Sequence, residues 1–203
     1  MAIRTCFFDM GNVLVYFSHE RMCRNIADLS GMTIEKTREF LFADGRQWKL
    51  ERGEISEELF CDQLQETSGR LIRLSDLQHA AANIFWLNDS IVPVLQKLKA
   101  AGMRLVLLSN TSITHLRFIE ERFDILKYMD TKITSFEVGA LKPDRPIFEA
   151  ALKVAQCAPE ECFYTDDIAA YITAASEFGI NARVYHKTHD LITELQSLGI
   201  GFV

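Results

Sequence analysis

From residue 89 to the C-terminus, short apolar runs alternate with stretches of helical periodicity, and this rhythm restricts the fold more than any other feature. MRLVLLS (103–109), KITSF (132–136), CFYT (162–165) and ARVYH (182–186) read as strands, and IRTCFF (3–8) supplies another near the N-terminus. Between them, SIVPVLQKLKAAG closes on Gly102 as a helix terminator, and TSITHLRFIEERF opens on hydroxyl residues suited to capping. DRPIFEAALKVAQ places Asp144 as an N-cap with Pro146 in the first turn, while AAYITAASEFG and HDLITELQSLG end on Gly179 and Gly199. Strands that alternate with helices predict an α/β fold, a parallel sheet with right-handed crossovers.

Residues 17–88 break the rhythm. SHERMCRNIADLSG, TIEKTREFLFAD, ISEELFCDQLQETSG and LSDLQHAAANIFWL each read as an amphipathic helix with a hydroxyl or acidic start, with no strand between them. The expected organisation is a core formed by 1–16 and 89–203, with 17–88 inserted as a helical subdomain. Short hinges are expected near Tyr16–Ser18 and Asn88–Ser90, where Phe17, Phe85 and Trp86 would pack the insert on the core.

Composition narrows the partners. A chain of 203 residues with a net charge of −6 and no basic run has no long-range attraction for nucleic acid or an anionic membrane surface. No apolar run reaches the roughly 18 residues of a membrane span, and Asp9 interrupts the N-terminal apolar stretch, which makes it a poor signal peptide. The cysteines Cys6, Cys23, Cys61, Cys157 and Cys162 are odd in number and form no Cys-x-x-Cys pair, which argues against a disulfide framework or zinc site and for a reducing cytoplasm.

In an open parallel sheet, ligands bind beyond the carboxyl ends of the strands. The residues expected there are Asp9, Ser109 with Asn110, Lys142, and the pair Asp166-Asp167. A carboxylate can attack phosphorus to form an aspartyl phosphate. A lysine, a hydroxyl and a hard cation can neutralise the nonbridging oxygens, and Asp9 with Asp167 suits the oxygen ligation of Mg²⁺. Each element alone has an ordinary explanation: a turn acid, a helix-cap cluster, a solvated loop lysine, a cap for the following helix. Together, and in this order past successive strands, they point to a site for a small phosphorylated substrate.

CFFDMGNVLV, LVLLSNT, GALKPD and CFYTDD resemble the four sequential motifs of haloacid dehalogenase-like hydrolases, and the helical insert falls where that family places its cap. The first motif is similar to the small-phosphatase branch that reads D-L-G-N-V. ERGEIS (51–56) resembles the corresponding segment of the bacterial α-D-glucose-1-phosphate phosphatases of that branch. The resemblance implies a Rossmann-like core with an α-helical cap and a Mg²⁺-dependent phosphatase. It makes Asp9 the nucleophile and a metal ligand, with the Gly11 carbonyl and Asp167 as further ligands. Ser109 and Asn110 would contact phosphate, Lys142 would bridge nucleophile and phosphate, and Asp166 would support the site or add a ligand.

Two departures from the family pattern stand out. Most phosphatases of the superfamily carry a second Asp two residues after the nucleophile, as acid for the leaving alcohol and base for the water, where this chain has Gly11. Either the leaving group is a good one, as in a hexose 1-phosphate, or the insert supplies an acid; His19, Glu20 and Glu54 are candidates. After the acid pair, the small polar residue and Asn common in relatives are replaced by Ile168 and Tyr171, which either weaken the support of a metal there or pack the following helix, the reading favoured here. GRQWKLERGE (45–54) concentrates Arg46, Trp48, Lys49 and Arg52, which either contact a phosphorylated sugar or form a solvated face. Alongside the phosphatase stand two alternatives: a haloacid dehalogenase, in which the acid pair would lack a purpose, and a catalytically weak phosphometabolite-binding protein.

Overall fold

Every residue of TCFF is buried, because this strand lies at the middle of a sheet covered on both sides. Strand β1 (Thr5–Phe8) sends Cys6 and Phe8 into one apolar cluster and Phe7 into the other, the two-residue period of a strand. The computed structural model describes residues 2–201. In it the chain leaves β1, forms β2 (Val15–Phe17), and passes through α1 (His19–Ser30), α2 (Ile34–Phe42), α3 (Arg46–Glu51), α4 (Glu57–Ser68) and α5 (Leu74–Ala82). It returns through β3 (Phe85–Leu87) to α6 (Val92–Ala100), β4 (Arg104–Ser109) and α7 (Ile113–Arg122). There follow β5 (Thr131–Thr134), α8 (Ser135–Val138), α9 (Arg145–Ala155), β6 (Cys162–Asp166), α10 (Ala169–Ser176), β7 (Asn181–Val184) and α11 (Thr188–Ser197).

Five strands form a parallel sheet in the order β5-β4-β1-β6-β7, the expected Rossmann-like α/β core. Leu95 and Leu98 of α6, Ile119 of α7 and Leu195 of α11 pack with Phe8 and Leu107 on one face. Ile147 and Phe148 of α9 and Ala175 of α10 pack with Phe7 and Tyr164 on the other. The strand order reverses at β1, so the ends of β1, β4 and β6 surround the crevice where such sheets bind ligands.

Helices α1 to α5 enclose a separate apolar cluster that includes Met22, Ile26, Leu41, Phe60 and Leu64. The hydroxyl starts act as expected: Ser18, Thr33 and Ser56 each accept a backbone N–H in the first turn of α1, α2 and α4. Three readings need correction. Phe85–Leu87 is a strand, not the end of a helix, and pairs antiparallel with Val15–Phe17; the pairing joins residues about seventy apart and leaves no local sequence signal. KITSF changes conformation at Thr134, where α8 begins. Asp144 occupies the N-cap position of α9 without a side-chain capping bond. Among the described residues no helix is long and apolar enough to cross a membrane, and all the cysteines are free thiols.

His115 on α7 is buried where the core meets the insert, edge-on to Phe85 at 5.1 Å between ring centroids. Burial pulls its pKa down from 6.5 to about 4, with a smaller push from His19, against a backbone hydrogen bond at Ala81. Its folded pKa lies below the unfolded one, so the unfolded chain binds more protons between these values. Stability from this group is complete above pH 6.5 and is lost as the pH falls toward 4, by on the order of 3 kcal/mol. Urea titrations of wild type and His115→Gln across that window are expected to show a shallower pH slope in the variant.

Candidate active site

The crevice is a cavity of about 830 Å³ between the sheet and the insert. Asp9, Gly11, Asn12, Asn110, Lys142, Asp144, Asp167, Ile168 and Tyr171 line its floor, and Phe17, His19, Arg38, Phe42, Gln47, Trp48, Glu51 and Arg52 face them from the insert side.

At its base lies a buried lysine with all three donors used. Lys142 Nζ donates to Asp9 Oδ1 at 2.7 Å, to Asp166 Oδ2 at 2.6 Å and to the Leu108 carbonyl at 2.9 Å. Burial alone would depress the ammonium, but the carboxylates of Asp9 and Asp166 outweigh it and hold its pKa above that of an ordinary lysine. Asn110 fixes the lysine's main chain by a reciprocal pair of bonds, accepting from the Lys142 N–H at 2.7 Å and donating to its carbonyl at 3.1 Å. The amide of Asn110 thus works on the protein, although the residue borders the cavity. Ser109 is buried, donates to the Asn110 carbonyl and does not line the cavity.

Asp9 sits just past β1, its N–H bonded to the Thr165 carbonyl. Burial raises its carboxyl to about 7 against the pull of Lys142, with Asp166 adding to the rise. Asp167 accepts from Asn12 Nδ2 at 2.9 Å, and burial likewise raises it. Asn12 has φ of 55°, a left-handed conformation that asparagine tolerates better than most residues. Carboxylate oxygens of Asp9, Asp166 and Asp167 lie within 4.8 Å of one another. That donor set fits a hard divalent cation, but the three acids are not equivalent. Asp166 is fully buried, off the cavity wall, and accepts three bonds, from Lys142, the Tyr164 hydroxyl and the Ile168 N–H. Asp9 and Asp167 keep lone pairs on the cavity side, beside Gly11.

Ile168 and Tyr171 do not pack the helix as expected. Ile168 is exposed at the cavity rim, where its N–H serves Asp166, and the Tyr171 hydroxyl accepts from Asn110. Of the basic and aromatic group near residue 48, only part faces the cavity. Trp48 and Arg52 are one helical turn apart and line it, whereas Arg46 turns away to the Phe40 carbonyl and Asp44, and Lys49 borders a separate depression. Of the acids proposed for the insert, His19 lines the cavity; Glu20 pairs with Arg24 on the surface, and Glu54 lies near Arg52 outside the lining. Sequence reasoning missed Glu51, which does line it. It also missed the close neighbour of Gly11: a Cβ there would stand 2.8 Å from Phe17 Cε1, so a side chain at this position requires the ring to move.

A strand-end carboxylate is thus paired with a buried lysine, beside two further acids and across a cavity from a helical insert. The chain belongs to the haloacid dehalogenase-like hydrolase family, whose profile matches residues 3–179. It is similar to D-ribitol-5-phosphate phosphatase of Bacteroides thetaiotaomicron, 26% identical over 188 residues, covering 87% of this chain and 89% of that one. A family enzyme of the same organism, solved with magnesium and inorganic phosphate, superposes with a TM-score of 0.82 at 24% identity over 93% of this chain and 98% of that one. A family hydrolase from Porphyromonas gingivalis gives 0.82 at 25% identity over the full length of both.

Removing the lysine leaves two buried carboxylates without their cation. Lys142→Met is expected to lower stability at neutral pH by about 3–5 kcal/mol in urea unfolding. The difference from wild type should narrow at lower pH, as the stranded carboxyls take up protons.

Proposed function

We propose that this protein is a magnesium-dependent phosphatase that hydrolyses a small phosphorylated metabolite through a phosphorylated Asp9. The observation that carries the reading is the placement of Asp9: at a strand end, on the cavity wall, 2.7 Å from a buried ammonium and clustered with Asp167. The Asp9 carboxylate attacks phosphorus in line with the leaving oxygen, and Lys142 orients it and favours its ionised form against burial. Asp9, the Gly11 carbonyl and Asp167 would hold Mg²⁺, which when bound offsets the repulsion between a carboxylate and a phosphate dianion. Asp166 acts behind them by fixing Lys142. Asn110, at the cavity wall, holds the lysine loop.

The relatives support the phosphatase reading over dehalogenation, since one similar protein is a D-ribitol-5-phosphate phosphatase, another is a GMP/IMP nucleotidase, and a structural neighbour was solved with magnesium and phosphate. The substrate class we favour is a phosphorylated sugar or sugar alcohol. Trp48 and Phe42 offer flat apolar surface beside the polar Gln47, Arg38 and Arg52, a mixture suited to a polyol chain. A reducing cytoplasm suits the free thiols.

Purified protein should hydrolyse 4-nitrophenyl phosphate with Mg²⁺ and lose this activity in EDTA. Asp9→Asn should reduce turnover by about 10³-fold or more, as expected for loss of a covalent nucleophile. Activity unaffected by either change would refute the proposal. Asn12→Gly keeps the left-handed backbone and removes the amide that orients Asp167. It should raise the magnesium concentration for half-maximal rate by about 10–100-fold.

A further inference from the structure

An aspartyl-phosphate route moves two protons. As the bond from Asp9 Oδ to phosphorus forms and the bond from phosphorus to the substrate oxygen breaks, that oxygen needs a proton unless it leaves as a stable anion. In the second half, water must lose one as its oxygen attacks phosphorus and the bond from phosphorus to Asp9 Oδ breaks, which releases phosphate and restores the carboxylate. The residues placed so far do not supply this group. Asp9 is the nucleophile, Asp167 is bonded to Asn12, and Asp144 lies 3.6 Å from the Arg52 guanidinium. Position 11 cannot carry an acid while the Phe17 ring fills the space beside it.

Glu51, the last residue of α3, lines the cavity from the opposite wall. Its carboxylate accepts from a neutral amide, Gln47 Nε2, at 2.8 Å. Its backbone is tied to the core. Ser135 Oγ donates to the Glu51 carbonyl at 2.6 Å, and the same hydroxyl accepts from the Thr111 N–H at 2.9 Å. Two residues on, Gly53 has φ of 69° and lies so close to the core that a Cβ would stand 2.7 Å from the Phe136 carbonyl. An insert residue is thus held in fixed register with the loop that follows β4.

We propose that Glu51 is the proton donor to the leaving oxygen and, in the second half-reaction, the base that deprotonates the attacking water. This rests on the phosphatase reading above. The surroundings shift this carboxyl toward its protonated form. Burial raises its pKa, against weaker pulls from the Gln47 hydrogen bond and the Lys142 charge. The competing cavity residue, His19, lies between the Phe17 and Phe42 rings, and burial together with the Arg38 charge lowers its pKa, which leaves it neutral and a poor donor.

The test compares Glu51→Gln with wild type on phosphate esters of graded leaving-group basicity, from 4-nitrophenyl through phenyl to primary alkyl phosphates. kcat/KM covers the steps through loss of the leaving group. It should change less than about threefold for 4-nitrophenyl phosphate, whose phenolate leaves unprotonated, and fall about 10²–10⁴-fold for basic leaving groups. On 4-nitrophenyl phosphate the variant should also give a burst of nitrophenolate, because the intermediate waits for its base. Retained activity on the activated ester reports an intact fold. An equal loss on every ester, or a loss on none, would overturn the assignment of Glu51, as would the same leaving-group pattern in His19→Asn with Glu51→Gln unaffected. Failure of the wild-type protein to hydrolyse any ester with Mg²⁺ would instead refute the phosphatase reading itself.

Discussion

A single buried ammonium organises this site. Lys142 satisfies two carboxylates and a carbonyl from three different strand ends, those of β1, β6 and β4. Without it, Asp9 and Asp166 would face each other as like charges in a medium that solvates neither. Around it the remaining groups act as supports. Tyr164 and the Ile168 N–H complete the hydrogen bonding of Asp166, and the Asn110 amide grips the lysine's peptide from both sides. Full pairing on all sides is what makes such a charge tolerable at this depth.

That arrangement divides the labour between the two parts of the chain. The sheet ends hold the acids and the lysine, while the insert, with its own apolar cluster, supplies the opposite wall. The two are joined by more than their hinges. Glu57 of α4 accepts from the N–H and hydroxyl of Thr114 on α7, and Ser135 reaches across to α3. The wall is therefore placed with the accuracy of secondary structure, which a proton-transfer partner requires.

Much of this was legible in the sequence, for reasons that can be named. Buried parallel strands are continuous apolar runs, so MRLVLLS and CFYT stood out, and ligands gather past strand ends, so Asp9, Lys142 and the acid pair could be grouped before any coordinates. What stayed hidden depended on contacts between distant residues. Nothing local marks Phe17 as the ring that occupies the space at Gly11, or Phe85–Leu87 as the partner of Val15–Phe17. Ser109 and Asn110 also have protein partners that no spacing reveals: the first donates to the Asn110 carbonyl, and the second grips the peptide of Lys142. Glu51 was passed over inside a charged stretch, since only the phase of α3 and its ties to Ser135 set it apart from Lys49 and Glu54.

The central position of β1 has a consequence for how the chain reaches this state. Thr5 pairs with Arg104 on one side and Cys162 on the other, so both neighbours of the first strand are distant in the chain. Closing such pairings is slow, because much chain entropy is lost before the contacts that compensate it are made. During synthesis the segment TCFF emerges before either partner strand and waits, apolar and unpaired, while the insert can already collapse on its own cluster. Asp9, one position past that strand and the nucleophile we propose, is thus made well before the strands that complete its surroundings.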